Sequence, residues 1–189
     1  MIIIVSSPSG GGKNTVLREL KKIYKKSCLS VNTTSRQPRE KEKDGQDYFF
    51  VSKTDFENKI KNHELIEYNF YNGNYYGVEK KQLFEKIEKN KIVFVQIDVN
   101  GKKSFDREKI KHLSFFLLPD SLQALEERIK NRGGLDKKQI AERLKIAKKE
   151  LKQAKNYNYQ ITNRQGHLKE TVLFMKKIID KELATLDKS

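Results

Sequence analysis

The residues near the amino terminus that could do chemistry are three consecutive glycines followed by a lysine. Gly10, Gly11 and Gly12 allow the backbone to curl so that several N–H groups point inward, and Lys13 adds a cation. Backbone amides at the start of a helix attract anions, because the positive end of the helix dipole lies there. The stretch predicts a phosphate-binding loop, and a flexible glycine-rich turn is the alternative.

This loop departs from the usual pattern G-x-x-x-x-G-K-[ST] at two positions. Ser7 replaces the first glycine, and Asn14 replaces the final hydroxyl residue. That hydroxyl normally contributes to holding Mg²⁺. Thr15 is a candidate substitute, and Mg²⁺ can also depend on nucleotide phosphates and water for its ligands.

A second cationic group follows in the chain. Arg36 and Arg39 are separated by three positions with a proline between them, and Tyr48 comes shortly afterwards. Guanidinium groups bind phosphate bidentately, and a tyrosine hydroxyl can complete the shell. The pattern favours a monophosphate site, with a solvated basic loop as the alternative.

Short apolar runs alternate with helix-like segments along most of the chain. The runs cover residues 2–5, 28–31, 92–97, 114–118 and 159–161. The first run is followed by a helical spacing of Val16, Leu20 and Ile23. This alternation predicts an α/β fold in which helices flank a parallel sheet.

The interval 32–78 breaks the alternation. It opens with polar and charged residues, then shows a strand-like run at 48–51 and a helix start at Ser52. Two further strand-like runs, 65–71 and 74–78, are joined by Asn72-Gly73, which is a strong hairpin signal. We expect a small mixed insertion beside the sheet.

Length and composition indicate one compact domain with insertions. The chain has 189 residues, of which 36% are hydrophobic, and no run approaches the roughly 20 apolar residues of a membrane span. With no signal-peptide pattern after Met1, we expect a cytosolic protein without a membrane partner. Cys28 is the single cysteine, which excludes an internal disulfide.

The net charge of +15 indicates an anionic partner. Residues 128–155 hold eleven Lys or Arg against three Asp or Glu, a surplus of eight positive charges. A nucleotide is as suitable an anionic partner for these positive charges as a nucleic acid is. Solvated surface lysines are the further alternative.

Taken together, the order of these segments resembles the guanylate kinase family over nearly the whole chain. The resemblance is carried by SSPSGGGK at 6–13, TTSRQPR at 33–39 with Gly45 and Asp47-Tyr48, ELIE at 64–67, GNYYG at 73–77, IDVNG at 97–101, and the basic segment 128–143. Six motifs in the family's order are far more specific than any one of them.

The resemblance implies a P-loop NTPase-type parallel sheet core with helices on both faces. The core would comprise residues 1–31, 79–128 and 156–189. Residues 32–78 would form an inserted, small mixed α/β domain that binds the nucleoside monophosphate, and residues 129–155 a helical lid. The expected substrates are ATP and GMP with Mg²⁺, no nucleic acid is required, and monomer and homodimer both stay open.

The same resemblance assigns roles to individual residues. Those expected to bind ATP are Ser9, Gly10, Gly11, Gly12, Lys13, Asn14, Thr15, Arg128 and Asn163. Those expected to bind GMP are Asn32, Arg36, Arg39, Tyr48, Glu67, Tyr76, Gly77 and Asp98. Those expected to act in catalysis are Lys13, Arg36, Arg132 and Arg143. Mg²⁺ would be held by ATP phosphates and water, with Asn14 or Thr15 as candidate ligands.

Glu67 is the residue expected to read the base. Guanine presents two adjacent donors, its N1–H and its exocyclic amine, to which a carboxylate is suited. A surface glutamate is the alternative for Glu67, and a packed hairpin aromatic is the alternative for Tyr76.

Four residues depart from the family pattern: Asn14, Asn32, Val78 and Gln96. They bear on metal binding, rate and base selectivity more than on the family. Three rival functions stay open, namely a kinase for another nucleotide or a phosphorylated sugar, a catalytically silent module that binds protein partners, and a nucleic-acid binder.

Overall fold

A computed structural model describes residues 1–71, 73–131 and 136–186. The chain divides into two compact units, which are treated separately. The first contains Ile3–Lys25 and Leu113–Ser189 together with Met1, and the second contains Lys26–His112 together with Ile2.

Parallel strands form the centre of the first unit. The strands are β1 (Ile2–Ser6), β8 (Leu113–Leu118) and β9 (Tyr159–Thr162), and β8 pairs in parallel with both of the others. All five residues of β1 are buried, as expected of a strand covered on both faces. The apolar runs at 2–5, 114–118 and 159–161 therefore correspond to strands.

The first unit also contains helices that pack on one another. They are α1 (Lys13–Ile23), α5 (Leu122–Lys130), α6 (Lys137–Gln153) and α7 (Leu168–Leu186). The apolar face of α5 packs with that of α6 through Leu125, Ile129 and Ala147. The end of α1 is fastened to α7 by the Tyr24 hydroxyl, which donates to Asp180 Oδ1 at 2.8 Å.

The second unit contains a pair of parallel strands, β2 (Ser27–Leu29) and β7 (Ile92–Gln96). The same unit contains the helices α3 (Lys80–Lys89) and α4 (Val99–Arg107). Asp98 caps α4, because its Oδ1 accepts the backbone N–H groups of Asn100 and Gly101, each at 2.9 Å. Asp98, the polar residue that follows the apolar run at 92–97, is thus the N-cap residue of α4.

A four-stranded mixed sheet completes the second unit, with the order β4-β3-β6-β5. Its elements are β3 (Asn32–Thr34), β4 (Tyr48–Phe50), α2 (Lys53–Lys61), β5 (Leu65–Tyr71) and β6 (Asn74–Glu79). β3 is parallel to β4 and antiparallel to β6, and β5 and β6 form a hairpin. Ser52 caps α2 by accepting the N–H of Asp55.

These elements confirm the predicted α/β class with parallel strands and flanking helices. The hairpin is also confirmed, since Tyr71 pairs with Asn74 across a two-residue connection, of which Asn72 lies outside the described residues. Two details differ. The polar residues of β3 gave no strand signal, and Ile23 is 38% exposed because it ends α1 beyond the buried turn.

The proposed boundaries of core, insertion and lid stay a prediction. None of the helices in the described part of the chain combines the length and the apolar character needed to cross a membrane.

Candidate functional site

The first unit contains the glycine loop between β1 and α1. Gly10 and Gly12 have φ angles of 87° and 86°, which L-amino acids with a side chain rarely adopt. Gly11 has a different reason to be glycine. A Cβ there would lie 2.4 Å from Ser7 Oγ, so the loop closes on itself at this point. Three glycines are needed for the curled path that the sequence predicted.

The loop ends at the amino terminus of α1. Gly12 is the N-cap residue, and it has no side chain with which to cover the first N–H groups of the helix. The first turn of α1 contains no acidic residue. The positive end of the helix dipole therefore meets the loop without an acidic side chain from that turn, which suits a bound phosphate.

Lys13 lies back along the loop. Its Nζ donates to the Ser7 carbonyl at 2.7 Å and to Ser7 Oγ at 3.3 Å. The ammonium group is therefore held at the loop that is predicted to bind phosphate. Asn14 is exposed and Thr15 is half-buried on the first turn of α1.

Asn163, which follows β9, supports the loop. Its side chain is buried and its Nδ2 donates to the Gly11 carbonyl at 2.9 Å. A Cβ on Gly12 would lie 2.4 Å from the same Nδ2. Asn163 therefore touches the loop backbone, which places this sequence-predicted residue at the loop and gives it a structural contact there.

Two of the predicted cationic residues in helices α5 and α6 also reach this region. Arg143 Nη1 donates to Ser9 Oγ at 3.4 Å. Arg128 Nη2 donates to the Asn163 carbonyl at 3.2 Å and lies 3.4 Å from Asp120 Oδ2, and its Nε donates to Gln165. Arg132, the third cation of this group, lies outside the described residues.

The second unit places four of the predicted GMP-binding residues on one face of the mixed sheet. Residues that pair directly across strands share a face, as do residues two apart in one strand. Asn32 pairs with Tyr48, Thr34 with both Phe50 and Tyr76, Glu67 with Val78, and Asn69 with Tyr76. Asn32, Tyr48, Glu67 and Tyr76 therefore lie on the same face, although they are far apart in sequence.

Arg36 lies at the edge of this face among aromatic rings. Its guanidinium is 5.4 Å from the centroid of the Tyr48 ring and 5.7 Å from that of Phe50. Its side chain is 16% exposed, so Arg36 itself is not freely solvated, whereas the residues that follow it at 37–41 are exposed. Arg39 is exposed.

Glu42 contacts both arginines of the predicted phosphate site, and the sequence reasoning missed it. Both of its carboxylate oxygens accept from Arg36 Nη2 at 2.9 Å, and Oε2 also accepts the backbone N–H of Arg39 at 2.9 Å. The Arg39 N–H and then the Arg36 guanidinium hold the pKa of Glu42 below its usual value, against the opposing effect of desolvation. Its position six residues after Arg36 gave no pattern that could have identified it.

Glu67 is buried, with 9% of its surface exposed, so the alternative of a surface glutamate is wrong. Its neighbour across the hairpin is Val78, which is itself buried and offers no hydrogen bond from its side chain. Desolvation, with a further contribution from the charge of Asp98, raises the pKa of Glu67 to about 8. A carboxyl group in this environment gains from a ligand that brings donors to it.

Asp98 and Gly101 lie on the α4 side of Glu67. A Cβ on Gly101 would be 3.2 Å from Glu67 Oε2, so the absence of a side chain there leaves room for the carboxylate. Asp98 Oδ2 accepts from Asn69 Nδ2 at 3.1 Å. Asn69, like Glu42, was not identified from the sequence.

Gly77 has a different environment from the other predicted GMP-binding residues. It pairs with Thr33 and Tyr68, which lie on the opposite face of the sheet. A Cβ at this position would be 2.7 Å from the Glu67 carbonyl and 3.1 Å from the Phe56 ring. Gly77 thus permits close packing over α2.

Comparisons with known proteins identify the family of this chain. The sequence model of the family described as Guanylate kinase matches residues 1–182. The chain belongs to the guanylate kinase family. Among its relatives, guanylate kinase from Clostridium tetani is 36% identical over 188 residues, covering 100% of this chain and 89% of the relative. Guanylate kinase from Prochlorococcus marinus is 39% identical over 178 residues, covering 94% and 96% respectively.

A solved structure supports the same family. The crystal structure of guanylate kinase from Anaplasma phagocytophilum has a TM-score of 0.75 and 31% sequence identity, and the match covers 97% of this chain and 86% of that one. The family resemblance predicted from six motifs is confirmed, and so is the P-loop NTPase-type fold. As a guanylate kinase family member, the chain is a nucleoside monophosphate kinase in class.

Proposed function

We propose that this guanylate kinase family member transfers the γ-phosphoryl group of ATP to GMP, giving ADP and GDP. The observation that carries the proposal is the sheet face on which buried Glu67 lies with Asn32, Tyr48 and Tyr76. That face combines an acceptor group suited to guanine with a cation and hydroxyls suited to phosphate. The family assignment supports the same reaction.

Glu67 would bind the Watson–Crick edge of guanine. The N1–H and the exocyclic amine are adjacent donors, and one carboxylate can accept from both. Adenine has an unprotonated N1 at the corresponding position, so it lacks the pair of adjacent donors that an ionised carboxylate accepts from guanine. Asn32 lies on the same face and can add an amide contact to the base.

Arg36, Arg39, Tyr48 and Tyr76 would hold the phosphate of GMP. Arg36 is held by Glu42, Tyr48 and Phe50 before any ligand arrives, so little side-chain entropy is lost when it binds phosphate. Arg39 would close on the phosphate from its exposed position. The backbone N–H of Arg39 is already fixed by Glu42.

The glycine loop, Lys13 and Arg143 would hold the phosphates of ATP. The loop amides and the start of α1 supply hydrogen-bond donors, and Lys13 and Arg143 supply charge beside them. We propose the same role for Arg128 near the nucleotide and for Arg132, which lies outside the described residues.

Mg²⁺ is the metal that the proposed reaction requires, and the residues present fit it. The Asn14 amide and the Thr15 hydroxyl are hard oxygen donors on the first turn of α1, the ligand type that Mg²⁺ prefers. Either would add to ligands from ATP phosphates and water. The bound ion would neutralise charge on the phosphates.

No strong general base is needed in this mechanism. A phosphate oxygen of GMP is already anionic, so it can attack without losing a proton. The rate then depends on in-line positioning and on cations that stabilise charge on the transferred group. Arg36, Lys13, Arg132 and Arg143 are the residues we assign to that stabilisation.

We also propose residues 32–78 as the GMP-binding domain, residues 129–155 as the lid, and the cytosol as the location of the protein. A lid would limit hydrolysis of ATP by excluding water. The contact of Arg143 with Ser9 supports the assignment of α6 to that segment.

A coupled assay of ADP release tests the proposal. Purified protein is given ATP and Mg²⁺ with GMP, AMP, CMP or UMP in separate reactions. We expect rapid turnover with GMP and at most a few per cent of that rate with the others. Turnover with another nucleotide would contradict the guanine assignment, and no turnover with any of them would contradict kinase activity itself.

A further inference from the structure

Asn69 forms a contact that the proposed function does not yet use. Its side-chain amide donates to Asp98 Oδ2 at 3.1 Å, linking β5 to the residue that caps α4. Asn69 lies two residues after Glu67 in β5, past the irregularity between Leu65 and Glu67, so both side chains lie on one face. Asn69 is exposed on that face, where a ligand of the sheet would meet it.

The hydrogen bonds of Asp98 leave few acceptor positions for a ligand. Oδ1 accepts the backbone N–H groups of Asn100 and Gly101, both at 2.9 Å, and its acceptor capacity is thereby taken by the helix cap. Oδ2 accepts from Asn69 and retains a second lone pair. The helix cap and Asn69 therefore together set where the remaining acceptor of Asp98 points.

The charge of Asp98 also matters, because Glu67 lies close enough to be influenced by it. Two neighbouring carboxylates repel each other when both are ionised. An amide that donates to one of them reduces that repulsion and fixes the separation of the pair. Guanine carries one N–H hydrogen on N1 and two on its exocyclic amine. A paired contact with one carboxylate uses two of these three, so one amine hydrogen is left for a second acceptor.

We propose that Asn69 is a positioning residue for guanine recognition, which holds Asp98 so that the second lone pair of Oδ2 accepts from the exocyclic amine while Glu67 accepts from N1–H and the same amine. This inference rests on the proposed function, in which GMP is the phosphoryl acceptor. It adds a determinant of selectivity for the amine, the group that distinguishes GMP from IMP.

The test measures kcat/KM for GMP and for IMP, and the KM for ATP, in Asn69→Ala. We expect the preference for GMP over IMP to fall roughly fivefold, as for loss of one hydrogen bond that orients a charged acceptor. The KM for ATP should stay within about twofold of the original value. Asn58→Ala, a change at an exposed position on α2, is the matched control and should leave both quantities unchanged.

A second background shows whether Asn69 acts through Asp98. Asp98→Asn keeps an oxygen that can cap α4 but replaces the acceptor facing Asn69 by an amide, so Asn69→Ala should have no further effect there. Asn69→Asp keeps the shape of the side chain and adds a third carboxylate, so it should reduce kcat/KM for GMP more than the alanine change does.

Several results would overturn the inference. One is an unchanged ratio of GMP to IMP in a folded Asn69→Ala protein, and another is an equal effect of Asn69→Ala with and without Asp98→Asn. An Asn69→Asp protein that matches the original protein would overturn it as well. Failure of the unmodified protein to phosphorylate GMP is a separate result, because it would contradict the proposed function instead.

Discussion

At the level of single residues, the environment of Glu67 is the main determinant of the proposed selectivity. Desolvation raises its pKa to about 8, with the charge of Asp98 as the second cause. In the free protein this carboxyl group is therefore largely protonated at neutral pH, and a bound guanine edge would stabilise its ionised form. Guanine donors replace the lost hydration and favour the ionised form.

GMP binding should become tighter as the pH rises from 7.0 to 8.5. At pH 7.0 Glu67 is mostly protonated in the free protein, because its pKa is about 8. Guanine needs the ionised form as acceptor, so binding must release the proton. Linkage then predicts an affinity about tenfold higher at pH 8.5 than at pH 7.0. The phosphate of GMP contributes little to this change, because it is already ionised above about pH 7. Calorimetry in buffers of different ionisation enthalpy measures both the affinity and the proton release.

The same pH series on Glu67→Gln is the control, and it should show little change in affinity between these pH values. A wild-type profile as flat as that of the variant would contradict the assignment of the titration to Glu67.

Glu67→Gln should also weaken GMP far more than ATP. The glutamine amide offers one acceptor and one donor, and the donor faces a guanine N–H. We expect the KM for GMP to rise about 30-fold and the KM for ATP to change less than about threefold. Steady-state kinetics with each substrate varied in turn measures this, with Glu85→Gln, an exposed change on α3, as the control. Equal losses for both substrates would rule out the role of Glu67 in reading the base.

Lys13→Ala should abolish most of the activity while the protein stays folded. The bonds described above join the lysine to Ser7 of the loop, and replacing it by alanine removes a positive charge beside the reacting phosphates. We expect kcat to fall about 100-fold to 1,000-fold. Lys21→Ala, on the exposed side of α1, is the control for general loss of positive charge. A Lys13→Ala enzyme with near-normal kcat and a normal circular dichroism spectrum would refute the role of Lys13.

At the level of elements, the glycine loop depends on a residue that is far away in sequence. Asn163 follows β9 and supports the Gly11 carbonyl, while Gly12 leaves space for the Asn163 amide. The backbone N–H of Asn163 donates in turn to the Leu118 carbonyl at the end of β8. The loop is thereby fixed to the ends of two parallel strands, where α/β folds bind ligands.

Asn163→Ala should therefore affect both stability and ATP binding. Loss of this buried hydrogen bond should lower the free energy of unfolding by about 1–3 kcal/mol, because the Gly11 carbonyl loses its partner. The KM for ATP should rise, and the KM for GMP should stay nearly unchanged. Urea unfolding and initial-rate kinetics measure these quantities, with Asn58→Ala as the control. An unchanged KM for ATP in the destabilised variant would show that Asn163 supports the fold without shaping the loop.

At the level of the whole molecule, the elements that were predictable from sequence are those with strong apolar patterns. The runs that became β1, β7, β8 and β9 are buried strands, and the Asn72-Gly73 signal corresponds to the β5–β6 hairpin. β3 was missed because Asn32, Thr33 and Thr34 are polar. It is stabilised by pairing with strands on both sides, which a local pattern does not contain.

The candidate site was predictable where its chemistry is local. The glycine loop, Lys13 and the Arg36–Arg39 spacing lie within short segments, and the family resemblance supplied Glu67 and Asp98. Glu42 and Asn69 were not found, because each acts through a contact that only the fold creates. The sequence also gave no sign that Glu67 would be buried opposite Val78.

The proposed reaction moves a phosphoryl group directly from ATP to GMP on one chain. It is tested by following radioactive label from [γ-³²P]ATP in the presence of GMP and Mg²⁺, with products separated by chromatography. We expect the label to appear in GDP as its β-phosphate, at the rate at which ADP forms. Label found only in inorganic phosphate, or remaining in ATP while GMP is intact, would contradict it.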